Sequence, residues 1–221
     1  MVVTIDGPAG SGKSSAARGL ADRLRFDYLD TGAMYRAVAL ALTRLGLTLS
    51  DLPAVASALT EMRVEALSGR VVLNGDDVSP LIRTPEVAQG ASLVAVIPAV
   101  RQFLVSEQRR AAAGRNIICE GRDQGTVVFP DAECKFFLTA DPVARANRRY
   151  QELVASGNST ITLAEVLQGQ RERDARDASR DLAPMRAADD AVIVDTTHLT
   201  PDGVLDQLEQ EVARRCPPAR T

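Results

Sequence analysis

The chain has 221 residues, of which 45% are hydrophobic and 25% are charged, and its formal net charge is −3. This length and composition are typical of one soluble globular domain, with or without an insertion, and they argue against long disorder, a fibrous repeat or a disulfide scaffold. An acidic chain lacks the charge of a dedicated nucleic-acid-binding protein. Because His198 is the only histidine, a histidine-rich metal site is also excluded.

Apolar, β-branched segments alternate with stretches of helical periodicity along the chain. Residues 2–5 form a short apolar run that closes at Asp6, which is typical of a buried strand. The predicted strands span residues 2–5, 28–29, 116–119, 133–138 and 191–194. The predicted helices span residues 14–25, 31–45, 50–62, 86–94, 99–113, 163–178 and 201–215, and a further one begins at Pro142. This alternation predicts an α/β fold in which helices flank a mostly parallel sheet.

One segment departs from the alternation of strand and helix. Residues 64–67 and 71–74 are two short alternating runs joined by Ser68-Gly69. This pattern predicts a β-hairpin. A hairpin at this place in an α/β chain indicates an inserted lobe.

The three cysteines show no C-x-x-C spacing, and two of them, Cys119 and Cys134, lie among strand-like apolar residues. We expect these two to be buried thiols in a reducing compartment. The first residues do not combine a basic segment with an apolar one, and no apolar run approaches 18 residues. The expectation is a cytoplasmic protein with neither a signal peptide nor a membrane-spanning helix.

A glycine-rich loop lies between the first strand and the first helix, where GPAGSGKS matches G-x-x-x-x-G-K-[ST], the P-loop motif. Its glycines allow backbone N–H groups to surround phosphate oxygens at the N-terminus of the helix. Lys13 is predicted to reach the β- and γ-phosphates of ATP, and Ser14 to offer its hydroxyl to Mg²⁺. The predicted ATP-binding residues are Gly7, Pro8, Ala9, Gly10, Ser11, Gly12, Lys13, Ser14 and Ser15.

The P-loop does not identify the phosphoryl acceptor. The chain lacks the N-K-x-D motif of guanine recognition and a D-x-x-G switch, and it is shorter than motor or transporter ATPases. A small-molecule kinase is then favoured, and its acceptor must be inferred from other residues.

Polar side chains follow two further predicted strands. In one interpretation Thr31 and Arg36 hold a second anion and Tyr35 packs on a ring. In the other, Thr31 is the N-cap of a helix and Arg36 is a solvated side chain. Glu120 could hold Mg²⁺ through a water molecule and Arg122 could bind a phosphate with two hydrogen bonds. The alternative for this second pair is an ordinary polar turn.

Arginines are concentrated on two predicted helices near the C-terminus. The first helix carries Arg145, Arg148 and Arg149, and the second carries Arg171, Arg173, Arg176 and Arg180 interleaved with aspartates. The ordinary interpretation is a solvated helix pair with many salt bridges. The functional interpretation is a lid whose arginines neutralise a transferring phosphoryl group and exclude water.

Together these features resemble the nucleoside monophosphate kinases, and within them the bacterial-type cytidylate kinases. The resemblance covers nearly the whole chain, from Ile5 to Ala191, and departs from the family at Glu120, where aspartate is common, and at Gln124, where methionine is common. Its distinctive stretches are LDTGAMYR (29–36), IRTPEV (82–87), GRDQGTVVFP (121–130) and RDARD (173–177).

The resemblance implies one kinase domain with three parts. These parts are a P-loop core (1–62, 93–144 and 180–216), an acceptor-binding insertion with a small hairpin sheet (about 63–92) and a short helical lid (about 145–160). It further implies a monomer that uses ATP with Mg²⁺ and CMP or dCMP, and no nucleic acid or membrane.

The resemblance also implies roles for individual residues. The acceptor phosphate is assigned to Thr31, Arg36 and Arg122, the cytosine edge to Ser92, Arg101 and Asp123, and the ribose to Asp177 and Arg180. With Tyr35, these nine residues form the predicted CMP site. The residues predicted to be catalytic are Lys13, Arg148, Arg173 and Arg176, and the predicted metal-binding residues are Ser14 and, through water, Glu120.

The expected reaction is transfer of the γ-phosphoryl group of ATP to CMP or dCMP, within pyrimidine nucleotide metabolism. Two alternatives remain open at this point. The acceptor could be UMP, a sugar or a shikimate-like alcohol, or the chain could be a nucleotide-binding regulatory module that transfers no phosphate.

Overall fold

The computed structural model describes residues 1–157 and 160–216. Its strands are β1 (Val2–Asp6), β2 (Asp27–Asp30), β3 (Val64–Leu67), β4 (Arg70–Leu73), β5 (Asp76–Asp77), β6 (Ile117–Glu120), β7 (Cys134–Thr139) and β8 (Val192–Asp195). Its α-helices are α1 (Lys13–Leu24), α2 (Thr31–Arg44), α3 (Leu52–Thr60), α4 (Pro85–Val94), α5 (Pro98–Ala112), α6 (Pro142–Ala155), α7 (Leu163–Ala178) and α8 (Pro201–Arg215). A short 3₁₀ helix spans Leu81–Arg83 and a π-helical turn spans Gln124–Val128.

The main sheet has five parallel strands in the order β2-β6-β1-β7-β8. Both of its faces are buried, because neighbouring side chains of one strand belong to different cores. In β6, Ile118 packs with α1 and α8, whereas Ile117 and Cys119 pack with α2 and α5. This confirms the predicted parallel α/β sheet flanked by helices, and it explains why the strands are apolar without alternation.

The small sheet is antiparallel, in the order β3-β4-β5. The predicted hairpin is confirmed, but a third strand joins it at Asp76 and Asp77, which the sequence did not indicate because two acidic residues after Asn74-Gly75 carry no apolar pattern. Val64, Val71 and Leu73 lie in the same hydrophobic core as α2 and α5. The small sheet therefore shares one hydrophobic core with helices that flank the main sheet.

The start of α2 corrects one prediction. The N-cap is Asp30, whose carboxylate accepts the N–H of Ala33 at 2.8 Å, and Thr31 is the first helical residue. Because Thr31 does not cap the helix, its hydroxyl is available for another contact, and it donates to the carbonyl O of Glu120 at 2.6 Å. The first turn of α2 is thus fastened to the end of β6.

Helices α6 and α7 pack against each other, and α7 begins with a capping box formed by Thr162 and Glu165. The sequence Gly157-Asn158-Ser159 predicts the end of the helix that begins at Pro142, and it lies partly outside the described residues, since Asn158 and Ser159 are not among them. The predicted division into core, insertion and lid stays a prediction. Two of its boundaries, 92/93 and 144/145, fall within α4 and α6.

The thiols of Cys119 and Cys134 are free and buried, as predicted. Across residues 1–157 and 160–216 no single helix is long and apolar enough to cross a membrane. Helices α4 and α5 reach the length and apolar character of a membrane span only when they are counted together, and the chain bends by 102° between them.

Candidate functional site

A cavity of about 1060 Å³ opens at the carboxyl edge of the main sheet, where open α/β sheets bind their ligands. Its volume is at the upper end of the range for small-molecule sites, about 300–1,000 Å³. Among the described residues, three predicted site residues, Gly7, Pro8 and Arg176, do not line it. The predicted residues that do are Ala9, Gly10, Ser11, Gly12, Lys13, Ser14, Ser15, Thr31, Tyr35, Arg36, Ser92, Arg101, Glu120, Arg122, Asp123, Arg148, Arg173, Asp177 and Arg180.

The P-loop requires glycine for two different reasons. At Gly7 the backbone runs so close to β7 that a Cβ would lie 2.0 Å from the carbonyl O of Leu138. At Gly10 and Gly12 the φ angles are 75° and 85°, in the left-handed region. The loop consequently turns its backbone toward the cavity just before α1.

The Lys13 side chain folds back over this loop. Its Nζ donates to the carbonyl O of Pro8 at 2.6 Å, and Ser11 Oγ is 3.5 Å away. Burial, followed by the positive charge of Arg122, lowers the pKa of Lys13. An anion in the cavity would oppose both effects, because it would favour the charged ammonium.

Ser14 and Glu120 meet beside the P-loop. The Ser14 hydroxyl donates to Glu120 Oε2 at 2.8 Å, and the Tyr28 hydroxyl donates to Glu120 Oε1. Burial, followed by the nearby charge of Asp30, raises the pKa of Glu120. A hydroxyl and a carboxylate at one point are oxygen donors of the kind that Mg²⁺ prefers. No larger cluster of acidic, histidine or cysteine side chains with metal-binding geometry occurs in the described ranges.

The second turn of α2 presents Tyr35 and Arg36 to the cavity. Arg36 Nη2 donates to Asp30 Oδ2 at 3.0 Å, while its buried Nε has no partner among the described residues. Burial raises the pKa of Tyr35 to about 12, so this phenol is neutral at physiological pH.

An aspartate on α7 holds two of the arginines. Asp177, 2% exposed, accepts a hydrogen bond from Arg122 Nε at 2.9 Å and another from Arg180. Arg122 also donates to the carbonyl O of Gly121 at 3.1 Å. These contacts fix the direction of both guanidinium groups.

A second buried ion pair joins Arg101 of α5 to Asp123, and both side chains line the cavity. The π-helical turn that follows Asp123 is anchored from below by Asp6, whose carboxylate accepts the N–H groups of Gln124 at 2.9 Å and Gly125 at 2.8 Å. The turn after Asp123 is thus bound to the main sheet through two backbone N–H groups. The choice between a ligand-binding segment and an ordinary polar turn at Glu120 and Arg122 stays a prediction.

Arg173 lies in the cavity wall near Arg122. Burial, followed by the positive charge of Arg122, lowers the pKa of Arg173 to about 10. The buried Nε atoms of Arg36, Arg173 and Arg180 all lack a hydrogen-bond partner in the described part of the chain. A phosphate group would supply negatively charged oxygens that accept hydrogen bonds from these donors and offset the repulsion between the positive guanidinium groups.

The two arginine-bearing helices divide between the two interpretations that the sequence left open. Arg171 is exposed and lies outside the cavity wall, as expected of a solvated face. Arg149 is exposed and pairs with Glu152 on its own helix at 2.9 Å, at the solvent-exposed part of the cavity wall. Arg173 and Arg180 also line the cavity. Arg148 lines the cavity too, but its guanidinium donates to Thr196 Oγ1 at 3.0 Å and to the carbonyl O of Thr197 at 3.3 Å.

Ser92 and Arg176 are in contact, since Arg176 Nη1 donates to Ser92 Oγ at 2.9 Å. Arg176 thereby bridges α7 and α4. Its predicted catalytic role, like that of Arg148, stays a prediction, and each would require the guanidinium to leave its present partners.

Comparison with known proteins identifies the family. The family model described as cytidylate kinase matches residues 3–214. A cytidylate kinase of Mycobacterium leprae is 48% identical over 219 residues, covering 97% of this chain and 96% of that protein. A cytidylate kinase of Rhodopirellula baltica is 43% identical over 216 residues, covering 98% and 93%. The chain belongs to the cytidylate kinase family.

The resemblance seen in the sequence is confirmed by this membership, and the chain is thereby an enzyme of the kinase class. A solved structure of an uncharacterized protein from Eubacterium ventriosum matches with a TM-score of 0.51 and 13% identity, covering 97% of this chain and 99% of that one. This likeness concerns the fold alone.

Several residues that organise the site of this cytidylate kinase family member were not among the sequence predictions. They are Asp6, Tyr28, Asp30, Arg145 and Asp174. The positions of three of them are informative: Asp6 and Asp30 end strands at the carboxyl edge of the main sheet, and Asp174 lies within the RDARD stretch. Tyr28 carries no such signal, and Arg145 is predicted only as one of the arginines on the helix that begins at Pro142, with nothing to relate it to the P-loop. Tyr28 meets Glu120 across 92 residues of sequence, and Arg145 meets Ala9 across 136, so both contacts arise only in the fold.

Proposed function

We propose that this chain transfers the γ-phosphoryl group of ATP to CMP or dCMP, giving CDP or dCDP, within pyrimidine nucleotide metabolism. One observation carries the proposal: a single cavity is lined by the P-loop, by the buried pair Arg101–Asp123 and by Arg36, Arg122 and Arg173. We take the P-loop as the donor end of this cavity and the pair Arg101–Asp123 as its acceptor end. The family names of the relatives agree with it.

The donor end supplies a cradle for the phosphates of ATP. Backbone N–H groups of the P-loop and the N-terminus of α1 would surround phosphate oxygens, and Lys13 would contact the β- and γ-phosphates. Ser14 would hold Mg²⁺ directly and Glu120 would hold it through water; the ion, when bound, supplies neutralisation of phosphate charge.

The acceptor end supplies charge and a polar edge. Thr31, Arg36 and Arg122 would bind the phosphate of CMP, which provides the acceptor for the partnerless Nε of Arg36. The Asp123 carboxylate would accept from the exocyclic amino group of cytosine, and Arg101 and Ser92 would contact the remaining base edge. Asp177 and Arg180 would lie at the ribose, with Tyr35 packed on the base.

The transfer itself needs position and charge more than proton chemistry. Arg173, with Arg148 and Arg176 after they release their present partners, would neutralise the transferring group. No tuned histidine base is required, which suits a chain whose single histidine, His198, does not line the cavity in the described ranges. The proposal includes a cytoplasmic monomer with ATP and CMP or dCMP as its partners.

A coupled assay of ADP formation, run with Mg²⁺ and a panel of acceptors, tests the proposal. CMP and dCMP should be the best substrates, with UMP weaker and AMP and shikimate inactive. Equal kcat/KM for CMP and UMP would contradict the assignment of Asp123. ADP formation that does not depend on any acceptor, or no turnover with the whole panel, would favour a hydrolase or a binding module instead.

A further inference from the structure

Helix α7 is fastened to the P-loop by a pair of charged residues. Asp174 Oδ1 accepts the N–H of Ala9 at 3.0 Å, and Arg145 Nη1 donates to Asp174 Oδ2 at 2.5 Å and to the carbonyl O of Ala9 at 2.7 Å. Both backbone polar groups of Ala9 are thereby held by side chains from α6 and α7. None of the family features seen in the sequence accounts for this contact.

The contact is sheltered from solvent. The Arg145 and Asp174 side chains are 8% and 15% exposed. Next to them, Gln170 of α7 packs over Gly10, where a Cβ would lie 2.7 Å from its Nε2. A desolvated, charge-assisted ion pair with several hydrogen bonds strongly restricts the positions of the residues that it joins. Ala9 and Gly10 of the P-loop are therefore held in one position relative to α7.

The same helix contacts the acceptor end of the cavity. One turn after Asp174, Asp177 binds Arg122 and Arg180, and Arg176 binds Ser92. Residues three apart on a helix lie on neighbouring parts of one face. A rigid helix therefore joins the P-loop, through Asp174, to the arginine predicted to hold the acceptor phosphate.

We propose that Asp174 is a positioning residue that, with Arg145, couples the P-loop to the acceptor site through α7. ATP bound at the P-loop favours the position of α7 in which Asp177 holds Arg122, and the affinity for CMP increases. The inference rests on the proposed function. By linkage, CMP increases the affinity for ATP by the same factor. In the described part of the chain neither Asp174 nor Arg145 lines the cavity, so neither is assigned a direct contact with substrate.

Calorimetric titration of CMP, with and without a non-hydrolysable ATP analogue and Mg²⁺, measures this coupling in the full chain. In the wild type the analogue should tighten CMP binding by about 5–150-fold, the usual range of such coupling. In Asp174→Ala the gain should fall to about twofold or less, while CMP affinity without the analogue stays within about threefold of wild type. Asp174→Asn should be intermediate, because its amide O still accepts the Ala9 N–H but no longer pairs with Arg145.

Glu172→Ala is the matched control, since Glu172 is an exposed acid on the same helix whose carboxylate accepts a hydrogen bond from Gln168 Nε2 at 2.7 Å. It should keep the wild-type coupling. Thermal unfolding checks that each variant folds, and if Asp174→Ala does not, Asp174→Asn carries the test.

The outcomes separate the two proposals. Wild-type protein that binds no CMP in either condition contradicts the proposed function. Wild-type protein that binds CMP without any gain from the analogue, or an Asp174 variant that folds and keeps the full gain, overturns the coupling role while leaving the proposed function intact.

Discussion

Lys13 is buried, and its Nζ donates to the carbonyl O of Pro8 in the P-loop at 2.6 Å. Its replacement removes one charge from the donor end and leaves the acceptor end untouched. We expect Lys13→Ala to lower kcat by at least about 100-fold, the usual cost of losing one preorganised electrostatic contact to a transition state. CMP affinity, measured by calorimetry on the same variant, should stay within about threefold of wild type. Near-normal turnover would show that this loop does not hold the phosphates.

Asp123 is predicted to distinguish cytosine from uracil, since only cytosine offers an amino donor to its carboxylate. Asp123→Asn keeps the shape of the side chain beside Arg101. We expect it to lower the ratio of kcat/KM for CMP over UMP by about 5–150-fold, which corresponds to the range of 1–3 kcal/mol for one base contact. The KM for ATP should change little. Parallel losses with CMP and UMP would mean that the pair Arg101–Asp123 is structural.

The buried carboxyl of Asp6 should make the free energy of unfolding depend on pH. Burial, partly offset by the N–H groups of Gln124 and Gly125, raises the pKa of Asp6 from 3.8 to about 7. As pH rises from about 4 to about 7, the carboxyl ionises in the unfolded chain before it does in the folded one. Its contribution to the free energy of unfolding therefore decreases across this window and is constant above it.

Urea unfolding of wild type and Asp6→Asn at several pH values tests this. The variant cannot titrate at this position, and its amide leaves one of the two N–H groups without an acceptor, which costs stability at every pH. Between about pH 4 and pH 7 the free energy of unfolding of Asp6→Asn should rise relative to that of the wild type, by about 1.4 kcal/mol for each unit by which the Asp6 pKa is raised. A difference that is independent of pH would show that the Asp6 pKa is ordinary.

At the scale of elements, the junction of β1, the P-loop and β7 depends on Gly7. A Cβ there would meet a backbone oxygen of β7 at 2.0 Å, whereas a Cβ at Gly12 meets no heavy atom within 4 Å in the described ranges. Both residues have positive φ, 141° at Gly7 and 85° at Gly12, so Gly12→Ala is a reference for the cost of placing alanine at a positive φ in the same loop. We expect Gly7→Ala to lower the free energy of unfolding by about 1–3 kcal/mol more than Gly12→Ala does. Equal losses in urea unfolding would mean that β7 can move away.

Elements with a strong local signal could be predicted from the sequence, and those set by tertiary contacts could not. The bounds of α7 and α8 agree with their apolar periodicity and their caps, and the P-loop follows from its motif. Threonine and aspartate both favour the N-cap position, so the sequence allows Thr31 as the N-cap of α2, and only the fold shows that Asp30 takes this position and that the Thr31 hydroxyl has a partner in β6. Strand β5 and the π-helical turn exist because of their neighbours, Val71 to Leu73 and Asp6.

At the scale of the whole molecule, the rule for parallel sheets was sufficient to bring the separate polar motifs to one edge. The P-loop, Thr31 and Arg122 follow strands of the main sheet and Glu120 ends one, so their proximity could be inferred from the sequence alone. The contact of Ala9 with Asp174 spans 165 residues of sequence and belongs to no strand end. Such contacts between loops and helices depend on packing angles that local patterns do not contain.

The central claim is that two nucleotides meet in one cavity and that phosphate passes between them. Incubation of the enzyme with Mg²⁺, CMP and ATP labelled at the γ-phosphoryl group, followed by separation of the products, tests it most directly. We predict that the label appears in the β-phosphate of CDP and that its yield falls with Lys13→Ala. Label found in inorganic phosphate at the same rate with and without CMP would contradict the account.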